Sequence, residues 1–145
     1  MGSGMTTSDD RTQGSIAELP EDECLALLET TTVGRIAFVD DEGQQLVPVN
    51  FALIDGAIYF RTLPDGFLSG LAKGHDDVAF GVDHQDVFRE GWNVTVRGSA
   101  RGVEDRATIN KVLSHHRLKP WAGGVRPLVI EISLSSIAGR RVSGG

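Results

Sequence analysis

The stretch Val47-Pro48-Val49-Asn50-Phe51-Ala52-Leu53-Ile54-Asp55-Gly56-Ala57-Ile58-Tyr59-Phe60-Arg61-Thr62 decides the fold class. Two apolar segments flank Asp55-Gly56, and a two-residue turn with positive φ at both central residues matches the twist of antiparallel strands. That turn sets a register in which Ile54 opposes Ala57, Leu53 Ile58, Ala52 Tyr59, Phe51 Phe60, Asn50 Arg61 and Val49 Thr62. Side chains alternate between faces along a strand, so Val49, Phe51, Leu53, Ile58, Phe60 and Thr62 share a face fit for a core. The other face carries Pro48, Asn50, Ala52, Tyr59 and Arg61, an amide beside a guanidinium. It is either the wet side of an antiparallel sheet or a surface for a flat, anionic molecule. The continuation Arg61-Thr62-Leu63-Pro64-Asp65-Gly66 adds a fork-shaped cation, a hydroxyl and the amides of a following helix start. Together these donors suit a phosphate.

Outward from this ribbon, strand patterns separated by turn residues recur at Val33 to Val39, Gln45 to Ile54, Ala57 to Thr62, Val78 to Asp83, Trp92 to Val103 and Leu128 to Ile137. Six such strands with two or three short helices predict a mainly β, antiparallel barrel. The segment LPEDECLALLET reads as a helix with Pro20 in its first turn, Glu21, Asp22 and Glu23 at the positive end of the dipole, and an apolar stripe of Cys24, Leu27 and Leu28. A second helix is expected from Asp105, a plausible cap, to Leu118, with Ile109, Val112, Leu113 and His116 on one stripe. A further helical turn fits Phe67 to Lys73. Residues 1–16 are mostly Gly, Ser, Thr and Asp with little apolar content, and read as a disordered tag and tail ahead of one domain over 17–145.

The chain has 145 residues, 40% of them hydrophobic, with 20 acidic against 14 basic side chains and a formal net charge of −6. This is room for one domain. The acidic balance argues against nucleic acid as a general partner, since phosphate contacts need a basic surface. No apolar run is long enough for a membrane-spanning helix, and a cytoplasmic location is expected. The single cysteine, Cys24, has no internal disulfide partner and reads as a small core residue. His75, His84, His115 and His116 lack metal-ligand spacing, and adjacent helical histidines point about 100° apart, so no metal site is expected. His116 is a lone candidate for a haem ligand, though its stripe position favours packing. Asp83-His84 reads as turn chemistry, and Ser135-Ser136 lacks a nucleophile elbow. Arg97 and Arg101 share a strand face and, with Arg61, are candidates for a positive cleft; Arg140-Arg141 is a candidate for an anion or a partner subunit.

Four stretches, ELPEDECLALLETTTVGRIAFVDDEG, QLVPVNFALIDGAIYFRT, GWNVTVRGSARGVED and KPWAGG with SSIAGRRV, resemble in order and spacing the pyridoxamine 5′-phosphate oxidase-like, FMN-binding split barrel family in its short actinobacterial form. They span Glu18 to Val142. The resemblance implies a six-stranded antiparallel split barrel, a homodimer, and a cofactor in clefts shared by the subunits. FMN comes first among the cofactors, with the deazaflavin coenzyme F420 or haem as alternatives. It implies hydride transfer to or from a small molecule, or else a non-catalytic dimer that binds a planar ligand. Carried over by position, Val47, Pro48, Val49 and Asn50 lie along the ring system, Arg61 and Thr62 face the phosphate, and Trp92 and Trp121 stand near the cleft and the dimer seam. Trp121 is equally a core or interface plug, and Trp92 at a strand start suits packing. Where many flavin-binding relatives carry a Ser-Lys or Arg-Lys pair, this chain has Gly66-Phe67. Lys73, one or two helical turns on, is the cation that compensates, or else a dipole partner at a helix end. No catalytic residue is assigned, although Tyr59 is one source of a proton.

Overall fold

The computed structural model describes residues 14–87, 90–118 and 127–144. Eight strands among them form one antiparallel sheet: β1 (Ser15–Leu19), β2 (Val33–Asp40), β3 (Gly43–Asn50), β4 (Ala52–Ile54), β5 (Ala57–Thr62), β6 (His75–Gln85), β7 (Gly91–Gly102) and β8 (Leu128–Ser143). The order is β3-β2-β6-β7-β8-β5-β4, with β1 added to the far end of β8. The two outer strands of this path, β3 and β4, are separated in the chain by Phe51 alone. One continuous segment therefore joins both edges of the sheet, which curls it into a half-barrel, the split barrel expected from the sequence.

The Asp55-Gly56 turn forms as read, with φ of 50° and 83°. Its register holds for Ala52↔Tyr59, Leu53↔Ile58 and Ile54↔Ala57 and then ends. Beyond Phe51, β3 leaves β5 and pairs with β2, so Asn50 opposes Val33 rather than Arg61, Val49 opposes Gly34, and the Phe51 N–H donates to Thr32 O at 3.0 Å. The expected strand Gln45–Ile54 is thus two strands. Arg61 and Thr62 pair instead with Val129 and Leu128 of β8. The reason is burial: the inward ring of Phe51 is fully enclosed and meets Phe80 edge-on at 4.8 Å, and a straight two-stranded ribbon could not enclose it.

The face assignment survives the change of partner. Phe51, Ile58 and Phe60 are fully buried in the main core with Ile36, Phe80, Val94, Val96, Ile130 and Ile132, and Val47, Val49 and Leu53 pack against it. Helix α1 (Glu21–Leu28) adds Cys24 and Leu28 to this core; Pro20 is its N-cap. Ser15 and Ile16, expected in the tail, belong to β1, because β8 runs on to Ser143 and offers them an edge; residues 1–13 lie outside the described residues.

The second helix is shorter than the stripe implied. Helix α2 spans Arg106–Leu113, its Asp105 cap accepting from the Thr108 N–H at 2.9 Å, and the Ser114 hydroxyl turns back to Asn110 O at 2.8 Å. A separate 3-10 turn follows at His116–Leu118. Ile109, Val112 and Leu113 pack as expected, whereas His116 is exposed and its ring lies against that of His115 at 4.8 Å and 17°, not splayed from it. Helix α2 and the 3-10 turn seat on Ala52, Ile54, Tyr59 and Val129, forming a second, smaller core. No helix among the described residues is long and apolar enough to cross a membrane.

Candidate functional site

The outer face of the sheet is divided. Over β4 and β5 it is covered by α2, whose Lys111 reaches the hairpin turn at Asp55 (2.9 Å). Over β2, β3, β6 and β7 no helix among the described residues covers it. Register places Leu46, Ala37, Ala79 and Arg97 in one row across four strands, and Pro48, Arg35, Gly81 and Thr95 in the next. Val33, Val39 and Leu46 are 50%, 59% and 67% exposed. Between them, the small side chains leave two shallow grooves of about 420 and 330 Å³, one running past Arg97 and Ser135, the other past Arg35, Asp83 and Asn93. Exposed apolar side chains around small ones make a surface that binding can dry at low cost.

Asn50 lies on this face at the end of the β2–β3 ladder, beside Val33. Arg61 lies on the covered half, where its Nη1 donates to Leu118 O at 3.1 Å. The 116–118 turn also bonds to the loop before Val33, through Arg117 Nη1 to Thr31 O at 3.1 Å. It therefore touches both sides, and Asn50 and Arg61 are not paired side by side as the ribbon register predicted. Val47 and Val49 turn inward against the core, and Pro48 faces out opposite Arg35. As an edge strand, β3 leaves alternate backbone N–H and C=O groups without a strand partner, Pro48 having no N–H to offer.

Thr62 is 8% exposed, and its hydroxyl makes no hydrogen bond among the described residues. A Cβ on Gly66 would stand 3.6 Å from Thr62 Oγ1, so the loop folds the head of the Phe67–Lys73 3-10 helix onto the end of β5. Lys73, in the last turn before Gly74, is exposed and makes no ion pair among the described residues. Trp92 is 9% exposed, part of the main core and stacked on His84 at 6.2 Å. Trp121 lies outside the described residues.

The positive cleft expected from Arg61, Arg97 and Arg101 is not assembled. Arg101 pairs with Glu131 at 2.9 Å, Arg61 is turned to the 116–118 turn, and Arg97 stands in the open groove. Asp83 pairs with Arg35 at 3.3 Å and Arg141 with Glu23 at 3.2 Å. Sequence reasoning missed the small-residue rows Ala37-Ala79 and Gly81-Thr95, because their meaning depends on which strands are neighbours. No group of three or more His, Cys, Asp or Glu among the described residues is arranged to hold a metal.

Tyr59 does not face the open groove. Its hydroxyl donates to Glu131 Oε2 at 2.6 Å beneath α2. Burial, the hydrogen bond and the Glu131 charge hold the phenol protonated far above its usual range. For Glu131, burial pushes the pKa up, but the Tyr59 and Arg101 hydrogen bonds and the guanidinium charge outweigh it and leave the carboxyl below its ordinary range. A carboxyl depressed in the folded state contributes stability that is complete above its unfolded pKa of about 4.3 and is lost as pH falls through the folded value. Tyr59→Phe is expected to cost about 1–2 kcal/mol at neutral pH and to flatten the loss of stability below about pH 4.3. Urea denaturation from neutral to acid pH measures both, and an unchanged midpoint throughout would show that the pair adds nothing.

Comparison with known proteins agrees with this architecture. Residues 20–141 match the family model described as pyridoxamine 5′-phosphate oxidase. The chain is similar to the solved FAD-binding protein from Mycobacterium smegmatis, with 31% identity, coverage of 88% of this chain and 98% of that one, and a TM-score of 0.74. It is similar also to a conserved protein of unknown function from Corynebacterium diphtheriae, with 28% identity, 90% and 98% coverage, and a TM-score of 0.72. An uncharacterized protein of Mycobacterium tuberculosis is 27% identical over 98% of this chain and 95% of its own length. With the split-barrel topology and a match over nearly all of its described residues, the chain belongs to the pyridoxamine 5′-phosphate oxidase family.

Proposed function

We propose that this chain is a flavin- or deazaflavin-dependent oxidoreductase acting on a small molecule as a homodimer, with FMN as the first candidate cofactor and F420 or haem as alternatives. The observation that carries the reading is the 31% identity to a protein that binds FAD, along 88% of this chain. The residues present fit such a group. Backbone groups on the outer edge of β3, which have no strand partner among the described residues, suit the polar rim of a flavin ring, and Pro48 and Asn50 stand on the same open face. Thr62 brings a hydroxyl that makes no hydrogen bond among the described residues, and Arg61 and Lys73 bring positive charge for the phosphate side. Arg61 reaches that side by sharing or exchanging its bond to Leu118 O. Bound flavin supplies the hydride chemistry, and the chain holds and orients it and neutralises its phosphate. The exposed Val33, Val39 and Leu46 around Ala37, Ala79 and Gly81 support a two-fold partner on the open face.

Titration with FMN, FAD, F420 and haem, read by fluorescence quenching or haem absorbance and by in-line light scattering, tests the reading. Saturable binding of a flavin or deazaflavin, one per protomer of a dimer, is expected, and Arg61→Ala is expected to weaken it about tenfold or more while the fold persists. No binding of any of the four sinks the reading, and unchanged affinity in a folded Arg61→Ala variant moves the phosphate elsewhere. The exposed Phe67, at the position where the resemblance implies a cation in many flavin-binding relatives, favours a second reading, a dimer that binds the planar ligand without turnover. Bleaching of the bound flavin by a nicotinamide donor separates the two: the enzyme bleaches and the binder stays yellow.

A further inference from the structure

A cleft of about 390 Å³ opens between the β2–β3 turn and the Phe67–Lys73 helix, meeting the groove past Arg97 at Phe38 and Val39. Its walls are aromatic. Phe38 and Phe67 have ring centroids 6.3 Å apart at 44°, and Phe38 and His75 6.0 Å apart at 74°. Phe67 is 54% exposed and Phe38 only 7%, so one ring forms the outer wall and another the floor. Asp40, Asp41 and Glu42 line the same cleft, and no Lys or Arg is among its described lining residues.

We infer that this cleft binds a small organic cation with an apolar body, of the methylated ammonium class. Phe38 packs tilted or edge-on against its two neighbours, which leaves Phe67 as the ring with open surface on the cleft, and a cation within about 6 Å of a ring centroid is attracted by the π-electron face. His75 belongs with the walls: Nε2 lies 2.8 Å from Val39 O and Nδ1 accepts the Asp77 N–H at 3.2 Å, two contacts that hold the ring in place. Asp40 accepts from the Glu42 N–H at 2.9 Å and from Gln45 Nε2 at 3.0 Å, two bonds that fix its carboxylate in place and favour its charged form. Asp41 and Glu42 make no ion pair among the described residues. A compact metal ion needs convergent oxygens, and no such group occurs among the described residues. A diffuse cation needs only apolar walls and a negative rim, and both are present.

The inference does not depend on a bound flavin. Choline and its neutral carbon isostere, 3,3-dimethylbutan-1-ol, are the probes, added to the whole chain while the His75 ring resonances are followed by NMR. Choline is expected to shift them saturably, with the isostere weaker by about tenfold; Phe67→Leu, an exposed substitution, is expected to weaken choline about fivefold or more, and Asp41→Asn with Glu42→Gln to do likewise. Absence of saturation overturns the inference. Equal binding of the isostere overturns it too, because the cleft is then merely apolar, and so does choline binding that neither variant changes.

Discussion

Gly98→Ala is expected to remove about 3–5 kcal/mol of stability, a large part of the roughly 5–15 kcal/mol that holds a domain of this kind together. Gly98 sits at the register shift between β7 and β8, where Arg97 opposes Ser136 and Gly98 opposes Leu134, so that Ser135 is the extra residue. A Cβ there would overlap Ser133 O and stand 2.8 Å from Ser133 C. Both are backbone atoms of the facing strand, which cannot retreat without opening the ladder. The same two strands carry Val94, Val96, Ile130 and Ile132 into the main core, so a local retreat also unpacks buried side chains. The contrast is Gly70, in the Phe67–Lys73 helix, around which a Cβ meets nothing within 4 Å. Gly70→Ala is expected to be neutral or stabilising by up to about 1 kcal/mol. Urea denaturation of the two variants checks the pair. If Gly98→Ala unfolds within about 1 kcal/mol of the parent, the bulge is free to relax and the steric account fails. A damaged bulge also displaces Arg97 in the open groove, so any ligand held there weakens with the fold.

The residues flanking Asp55-Gly56 show what a sequence can and cannot specify. Turn chemistry acts over two residues, so the positive φ values and the three nearest pairs were legible. Side-chain alternation acts over one, so the inward set of Phe51, Ile58 and Phe60 was legible too. The departure of β3 towards β2 was not, because it depends on Phe51 being enclosed by Phe80, a residue on β6. Asn50 and Arg61 were read as neighbours through a register that ends two residues short of them. The cover over Tyr59 was hidden for a related reason. The stripe of Ile109, Val112 and Leu113 announced a helix with one buried face, and nothing local said which sheet surface it would bury. The Ser114 back-bond that ends this helix competes with helix continuation at close to equal energy, so its outcome is settled by the seating of the 116–118 turn against Thr31 and Arg61.

Phe67→Lys is expected to strengthen the binding of a flavin phosphate by about tenfold or more and to abolish choline binding in the cleft. The resemblance places a Ser-Lys or Arg-Lys pair at 66–67, and Phe67 is exposed enough for its replacement to leave the fold intact. Replacing Gly66 as well is not called for, because a Cβ there would press on Leu63 Cβ and Leu63 O, both at 3.3 Å. A lysine at 67 has two claims on it. The carboxylates of Asp41 and Glu42 across the cleft are exposed partners, and such surface pairs are worth about 0–1 kcal/mol. A phosphate beside Thr62 offers a charge-assisted hydrogen bond of about 1.5–3 kcal/mol, which prevails once ligand is present. The cation in the cleft, by contrast, loses a ring wall and meets a like charge, so its binding falls for two independent reasons. Fluorescence titration with FMN and NMR titration with choline on this one variant report the two effects separately. Flavin affinity that stays level while choline binding vanishes places the phosphate away from position 67 and leaves the cation cleft standing; undiminished choline binding alongside tighter flavin removes the cleft and keeps the phosphate site.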